Sequence, residues 1–216
     1  MTPASSGPGP SGAASLPPAW LASRPLPIVR IEAGTELFRV HQAAHSPVFF
    51  GPAVDPATGV RQPPTHRFDS LTGAFGVLYV GERFEGAFVE TVLRNPQRRF
   101  VSENYVSLRS VSRLTCRREL RLVNLHGRGL SRVGVTNAIS TGPYEPCWAW
   151  ADYLWFHHDQ PDGIAYASRH DPQQICYALF ERPDLTFRMS ESATFAGMLP
   201  AIKALLRGYG KILTRP

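Results

Sequence analysis

The sequence predicts an α+β fold: a single domain on a mixed, mainly antiparallel sheet. Three observations point there. Short apolar stretches of strand character alternate with helical ones, but without the regular rhythm of a βαβ chain. The apolar runs Ile164–Ser168 and Ile175–Phe180 are joined by a turn through Asp171-Pro172, close enough to pair antiparallel. At 216 residues, 43% hydrophobic and 19% charged, the chain is ample for one core and shows no internal repeat.

Taken in order, residues 1–27 read as a flexible tail and 28–216 as the domain. The first 25 residues hold six prolines, five serines and no charge before Arg24. Such a segment buries too little apolar surface to offset the entropy of ordering. Pro17 and Pro18 also interrupt the only apolar run a signal peptide could use. Glu36 to Val40 alternates as a strand. Residues 45–73, rich in Pro, Gly and Asp, form a long loop carrying His66-Arg67-Phe68-Asp69. Gly76 to Val80 is a buried strand bounded by glycine. A helix follows from Glu82 to Leu93, with Phe84, Phe88 and Val92 on one face and Asn95-Pro96 as its stop. Tyr105–Leu108 and Leu120–Leu125 alternate as strands. Pro146–His158 is an aromatic helix, and Asp162-Gly163 turns into the Ile164 strand. A last helix runs from about Thr194 to Arg207, capped by Gly208.

Composition excludes several classes. No apolar run reaches the roughly 20 residues of a membrane helix. Cys116, Cys147 and Cys176 are far apart and odd in number, which argues against a disulfide scaffold and a cysteine-built zinc site. Reduced thiols fit the cytoplasm. The net charge is +6, and between Arg94 and Arg132 ten arginines face only Glu103 and Glu119. Guanidinium pairs bidentately with phosphate oxygens, so this stretch suits a nucleic acid, a nucleotide or an acidic protein. A merely solvated basic face accounts for it as well.

Polar residues within apolar elements mark candidate chemistry, because burying them costs free energy unless they are paired or used. Arg39 interrupts its strand. Tyr79 lies in the strand before the Glu90 helix, and Glu90 sits about 60° outside that helix's apolar edge. Ser168 and Arg169 end the Ile164 strand. Each alone also fits a structural ion pair or strand-end hydrogen bond. His157-His158 make a poor metal pair, since adjacent helical residues point apart. His41 and His45 have i,i+4 spacing in a segment that is not helical. The sequence has no HExxH, no Walker loop and no GxGxxG after a strand, and Ser168 lacks a GxSxG context.

The order of these parts resembles one family. Leu37-Phe-Arg-Val40 is followed by His66-Arg-Phe-Asp69, a Leu-Tyr-Val strand, Ala87-Phe-Val-Glu-Thr-Val92 and Asp162-Gly-Ile-Ala-Tyr-Ala-Ser-Arg169. An apolar strand ending in Ala178-Leu-Phe180 closes the series. Together these resemble the RES family, named for its Arg, Glu and Ser, over about residues 35–182. The resemblance implies a fold like that of ADP-ribosyltransferases and a role as the toxin of a toxin–antitoxin pair. It implies consumption of NAD by hydrolysis or phosphorolysis, or transfer of ADP-ribose to a protein, with NAD as substrate and no metal. By position, Arg39 and Arg67 would hold the phosphates and ribose, with Arg39 counted beside Glu90 as catalytic. Tyr79 would stack on nicotinamide, and Ser168 would complete the pocket. The family's usual Gly-Gly-Arg-Trp-Asn is here Thr65-His-Arg-Phe-Asp69, and Val40 stands where a Tyr often follows the first Arg. The implied partner is an Xre-type antitoxin, which would make any nucleic-acid contact indirect. A homodimer is left open.

Those residue types suit the chemistry in their own right. Cleaving the nicotinamide–ribose bond passes through an oxocarbenium-like ribose that needs a nearby anion, which Glu90 can be. A pyrophosphate calls for arginine, and Tyr79 or Phe68 can stack on nicotinamide. The rival is a non-catalytic binding module using the Arg94–Arg132 stretch. It needs those arginines on one exposed face, whereas an enzyme needs Arg39, Arg67 and Glu90 in one cleft.

Overall fold

A computed structural model describes residues 13–51, 54, 55 and 57–215. Strands β1 (Ile28–Ile31) and β2 (Glu36–Gln42) precede the long loop, then come β3 (Val77–Gly81) and helix α1 (Phe84–Val92). Strand β4 (Phe100–Ser102), helix α2 (Glu103–Ser107), β5 (Arg109–Cys116) and β6 (Leu120–Leu125) follow. Helices α3 (Arg128–Val133), α4 (Ala138–Thr141) and α5 (Glu145–Phe156) lead to β7 (Gly163–Ala167) and β8 (Ile175–Phe180). The chain closes with β9 (Phe187–Thr194), α6 (Leu199–Gly208) and β10 (Ile212–Thr214). Eight strands form one sheet in the order β1-β6-β7-β8-β3-β2-β5-β9, and β10 pairs with β4 alone. Within the large sheet only β6 and β7 run parallel, so the α+β class and mainly antiparallel sheet are as the sequence predicts.

Period-2 alternation sends each strand's residues to two cores. Leu78 and Val80 of β3 face a cluster with Leu37, Leu114, Leu122 and Leu179. Val77 and Tyr79 face the other side, against Trp150, Ile164 and Phe180. A third cluster packs α1 and α6 on Val40 and Val111. No helix among the described residues is long and apolar enough to cross a membrane.

The feature that positions the site is a gap in the pairing. Strand β2 matches β5 along its whole length from Glu36 to Gln42, and β3 matches β8 from Val77 to Gly81. Between β2 and β3 the one matched pair is Phe38↔Gly81. Past it, Arg39–Gln42 and Val77–Val80 diverge and leave an opening inside the sheet. Gly81 allows α1 to start against this junction: a Cβ there would lie 2.5 Å from Ala87 N and 2.6 Å from Arg83 O.

Several elements differ from the sequence reading. Residues 105–108 are not a strand; most of them lie in α2, because four alternating residues fit a helical turn equally well. Thr194 ends β9, so the last helix begins only at Leu199, with Pro200 in its first turn. Gly208 is its last residue, and the left-handed position is Gly210 at φ 66°. The expected flexible tail is packed where it is described. Ala14, Leu21 and Leu26 are buried, Trp150 Nε1 donates to Ser15 O (2.7 Å) and Leu26 N donates to Asp159 Oδ2 (2.8 Å). Residues 1–12 of that segment lie outside the described residues. His157 follows the end of α5 instead of lying within it, so its ring and that of His158 come together, with centroids 4.1 Å apart.

Candidate active site

The opening between β2 and β3 is a cleft of about 420 Å³, and Arg39, Arg67, Tyr79 and Glu90 all line it. Arg39 comes from β2, where Nη1 donates to the carbonyls of Pro47 and Phe49, each at 2.8 Å. It thereby holds the loop after β2 over the cleft. Burial lowers its pKa to about 10, which leaves it cationic at neutral pH, and it pairs with no carboxylate among the described residues. Arg67 is 6% exposed. Its Nη1 donates to the carbonyls of Ile139 (3.2 Å) and Gly142 (3.0 Å), and its guanidinium lies 4.6 Å over the Tyr144 ring. Nη2 is buried without a partner among the described residues. A buried guanidinium donor left open in this way is costly unless a ligand acceptor fills it.

Tyr79 has its hydroxyl fully engaged. It donates to Asp69 Oδ1 (2.9 Å) and accepts from Phe68 N (2.9 Å), which leaves the ring for a ligand. Burial, reinforced by Asp69, pushes this hydroxyl well above the ordinary tyrosine range. For Asp69, burial would raise the pKa. Hydrogen bonds from the His66 side chain and from the Thr65 and His66 amides outweigh it and hold the carboxyl at about 2.

Glu90 sits near the end of α1, and Ser168 Oγ donates to its Oε1 at 2.5 Å. The same Ser168 oxygen accepts from the amides of His170 (3.1 Å) and Asp171 (3.4 Å). With its acceptor side occupied, the hydroxyl's one proton is committed to Glu90, and the carboxylate's orientation is fixed. Arg94 does not pair with this carboxylate: its Nε donates to the Glu90 carbonyl, at 2.8 Å.

Two expected lining residues fall elsewhere. Phe68 is 0% exposed and packs edge-on to Tyr166 at 5.0 Å, so its ring cannot stack on a ligand; its amide serves the site through Tyr79. Ser168 is 1% exposed and stands behind Glu90 as its anchor. Sequence reasoning also missed His41, Tyr144, Tyr166 and His170 as lining residues. For His170 the signal was present, two positions after Ser168 in a strand-end turn.

The basic stretch is not one exposed face. Arg94 and Arg109 line the cleft, and Arg109 stacks 3.6 Å over Tyr105. Arg113 pairs with Glu36 and Glu191. Arg118 grips Asp162 through two bonds of 2.9 and 2.6 Å, and Arg121 Nη1 donates to the Asp159 carbonyl. His157, His158 and Asp159 bring three potential ligand atoms within 4.8 Å of one another. His157 has no lone pair to give, since Nδ1 accepts from Asp159 N and Nε2 meets the Leu21 carbonyl, where only an N–H can bond.

Fold and site together define a class: an α+β domain whose split sheet holds a cleft lined by arginines without carboxylate partners among the described residues and by two anchored carboxylates, Asp69 and Glu90. Within that class the chain belongs to the RES domain family, whose model matches residues 36–196. That match passes the end of the sequence resemblance and takes in β9. Among solved structures, the fold is similar to a chain in the crystal structure of the M. tuberculosis MbcT–MbcA toxin–antitoxin complex. The TM-score is 0.57 over 84% of this chain and 91% of that chain, at 17% identity. No curated protein matches the sequence.

Proposed function

We propose that this chain cleaves the nicotinamide–ribose bond of NAD and acts in the cytoplasm as the toxin of a toxin–antitoxin pair. The observation that carries the reading is the convergence of Arg39, Arg67, Tyr79 and Glu90 on one cleft. The open Nη2 of buried Arg67 strengthens it, because that donor needs an anionic or carbonyl acceptor. Arg39 and Arg67 take the pyrophosphate and ribose oxygens, and the Tyr79 ring stacks on nicotinamide. As the bond breaks, its electron pair goes to the nicotinamide nitrogen and neutralises the pyridinium, while positive charge grows on the ribose. Glu90 meets that charge with a carboxylate already oriented by Ser168, so little reorganisation is needed at the moment of reaction. Family membership and the fold's likeness to a toxin–antitoxin complex support the toxin role and an antitoxin partner; the Xre type of that partner is what the sequence resemblance implies.

The test is incubation of the pure protein with NAD, following free nicotinamide by chromatography, with and without inorganic phosphate. Nicotinamide with ADP-ribose means hydrolysis, and a phosphorylated ADP-ribose means phosphorolysis. Label from adenine-labelled NAD appearing on protein means transfer. No nicotinamide under any of these conditions would end the reading and return the chain to the class of binding modules.

A further inference from the structure

We infer that His170 is the acceptor-side base of the cleft, taking the proton from the water that attacks the ribosyl cation formed beside Glu90. This rests on the NAD reading above.

Glu90 already serves the leaving-group side of the reaction. Ser168 occupies one of its oxygens, and its charge is committed to the growing cation. A second group must accept the proton of the nucleophile. Four imidazoles line the cleft. His41 has both ring nitrogens engaged, Nδ1 with the Gln42 carbonyl (2.8 Å) and Nε2 with Ser112 Oγ (2.9 Å). His66 Nδ1 is tied to Asp69 and Thr65, and His45 sits on the loop held by Arg39. His45, like His170, has no ring-nitrogen partner among the described residues, but of the four only His170 is joined to Glu90, its amide donating to the Ser168 hydroxyl that in turn donates to Glu90.

The turn that carries it is stiff. Ser168 N donates to Gln174 O (2.9 Å) and Gln174 N to Asp171 O (2.9 Å). Tyr209, just past α6, donates its hydroxyl to Asp171 Oδ2 at 2.7 Å. The same short turn therefore anchors the carboxylate and presents the imidazole. Burial, with Arg169, Arg94 and Arg67, lowers the His170 pKa from 6.5, and Glu90 opposes this in part. The ring is then neutral, hence a competent base, through the physiological range.

The step balances. Nicotinamide leaves with the C–N electron pair, and a lone pair on water oxygen forms the new C–O bond to the ribose. The water's proton passes to a free His170 ring nitrogen and from there to solvent. One NAD and one water give nicotinamide, ADP-ribose and one proton.

The experiment compares parent, His170→Gln and His170→Asn in phosphate-free buffer, where water is the acceptor. Expected is unchanged melting temperature and NAD affinity, with nicotinamide release falling about a hundred-fold in both variants. The parent's rate should fall on the acid side with a midpoint below 6.5, as His170 becomes protonated, and that limb should vanish from the variants. Sodium azide, an anion with no proton to lose, should restore release in the variants and change the parent little. Variants that keep the parental rate and limb, or whose lost rate azide leaves unrecovered, overturn the assignment. A parent that releases no nicotinamide overturns the NAD reading itself, and this inference with it.

Discussion

Replacing Glu90 by Gln keeps its shape and one hydrogen-bonding oxygen but removes the negative charge. Asp69 is already saturated by its own donors, so Glu90 is the carboxylate left in the cleft to meet a ribosyl cation. Losing one preorganised electrostatic group costs about 2.7–4 kcal/mol, on the order of a hundred- to a thousand-fold in rate. The folding cost is much smaller. The 2.5 Å bond from Ser168 changes from charge-assisted to neutral, a loss of about 1 kcal/mol. For a domain of this size that is about 2–4 °C in melting temperature. NAD affinity should persist, because Arg39 and Arg67 are untouched. The assay is nicotinamide release by chromatography, beside NAD calorimetry and thermal melts of both proteins. A folded Glu90→Gln protein that releases nicotinamide at the parental rate refutes the reasoning.

Ser168→Ala removes three hydrogen bonds at once and should cost about 2 kcal/mol in urea unfolding. It should also slow turnover about tenfold at unchanged NAD affinity, because Glu90 loses its anchor; a destabilised variant with parental turnover would make Ser168 purely structural. Arg118→Ala strands the buried Asp162 carboxylate, which accepts two bonds from that guanidinium, and should destabilise by roughly 3 kcal/mol. Arg117→Ala, at an exposed position, should be close to neutral, and equal urea midpoints for the two variants would count against this division. Asp69 has its pKa lowered to about 2, so its stabilisation, about 2 kcal/mol, is fully present above pH 4 and lost as pH falls toward 2. Asp69→Asn should flatten that part of the acid-unfolding curve, and an unchanged curve would sink the linkage.

Much of this molecule is legible in local pattern. Strands β2, β3, β6, β7 and β8 and helices α1 and α5 bury one or both faces against the cores, and their apolar periodicity shows it. Arg39, Tyr79 and Glu90 stood out because a polar group in such an element needs a purpose. Strand β5 was missed although it sits between β2 and β9, since buried Ser110 and Ser112 look like loop residues and only the fold brings His41 and Ser192 to the Ser112 hydroxyl. Strand β9 was missed because an exposed edge has little apolar alternation to read. Composition made residues 14–26 look unable to bury enough surface. Taken alone they cannot, but α3 and α5 provide the other half of that contact.

What the sequence by itself determined is which residues carry charge and apolar surface, and at what local spacing. Only the tertiary structure decided where β2 and β3 stop pairing, that Phe68 turns inward while Arg67 keeps an open donor, and that His170 comes to Glu90. Those outcomes depend on contacts between segments far apart in the chain, and a local period of 2 or 3.6 carries no information about which distant surface will complete it.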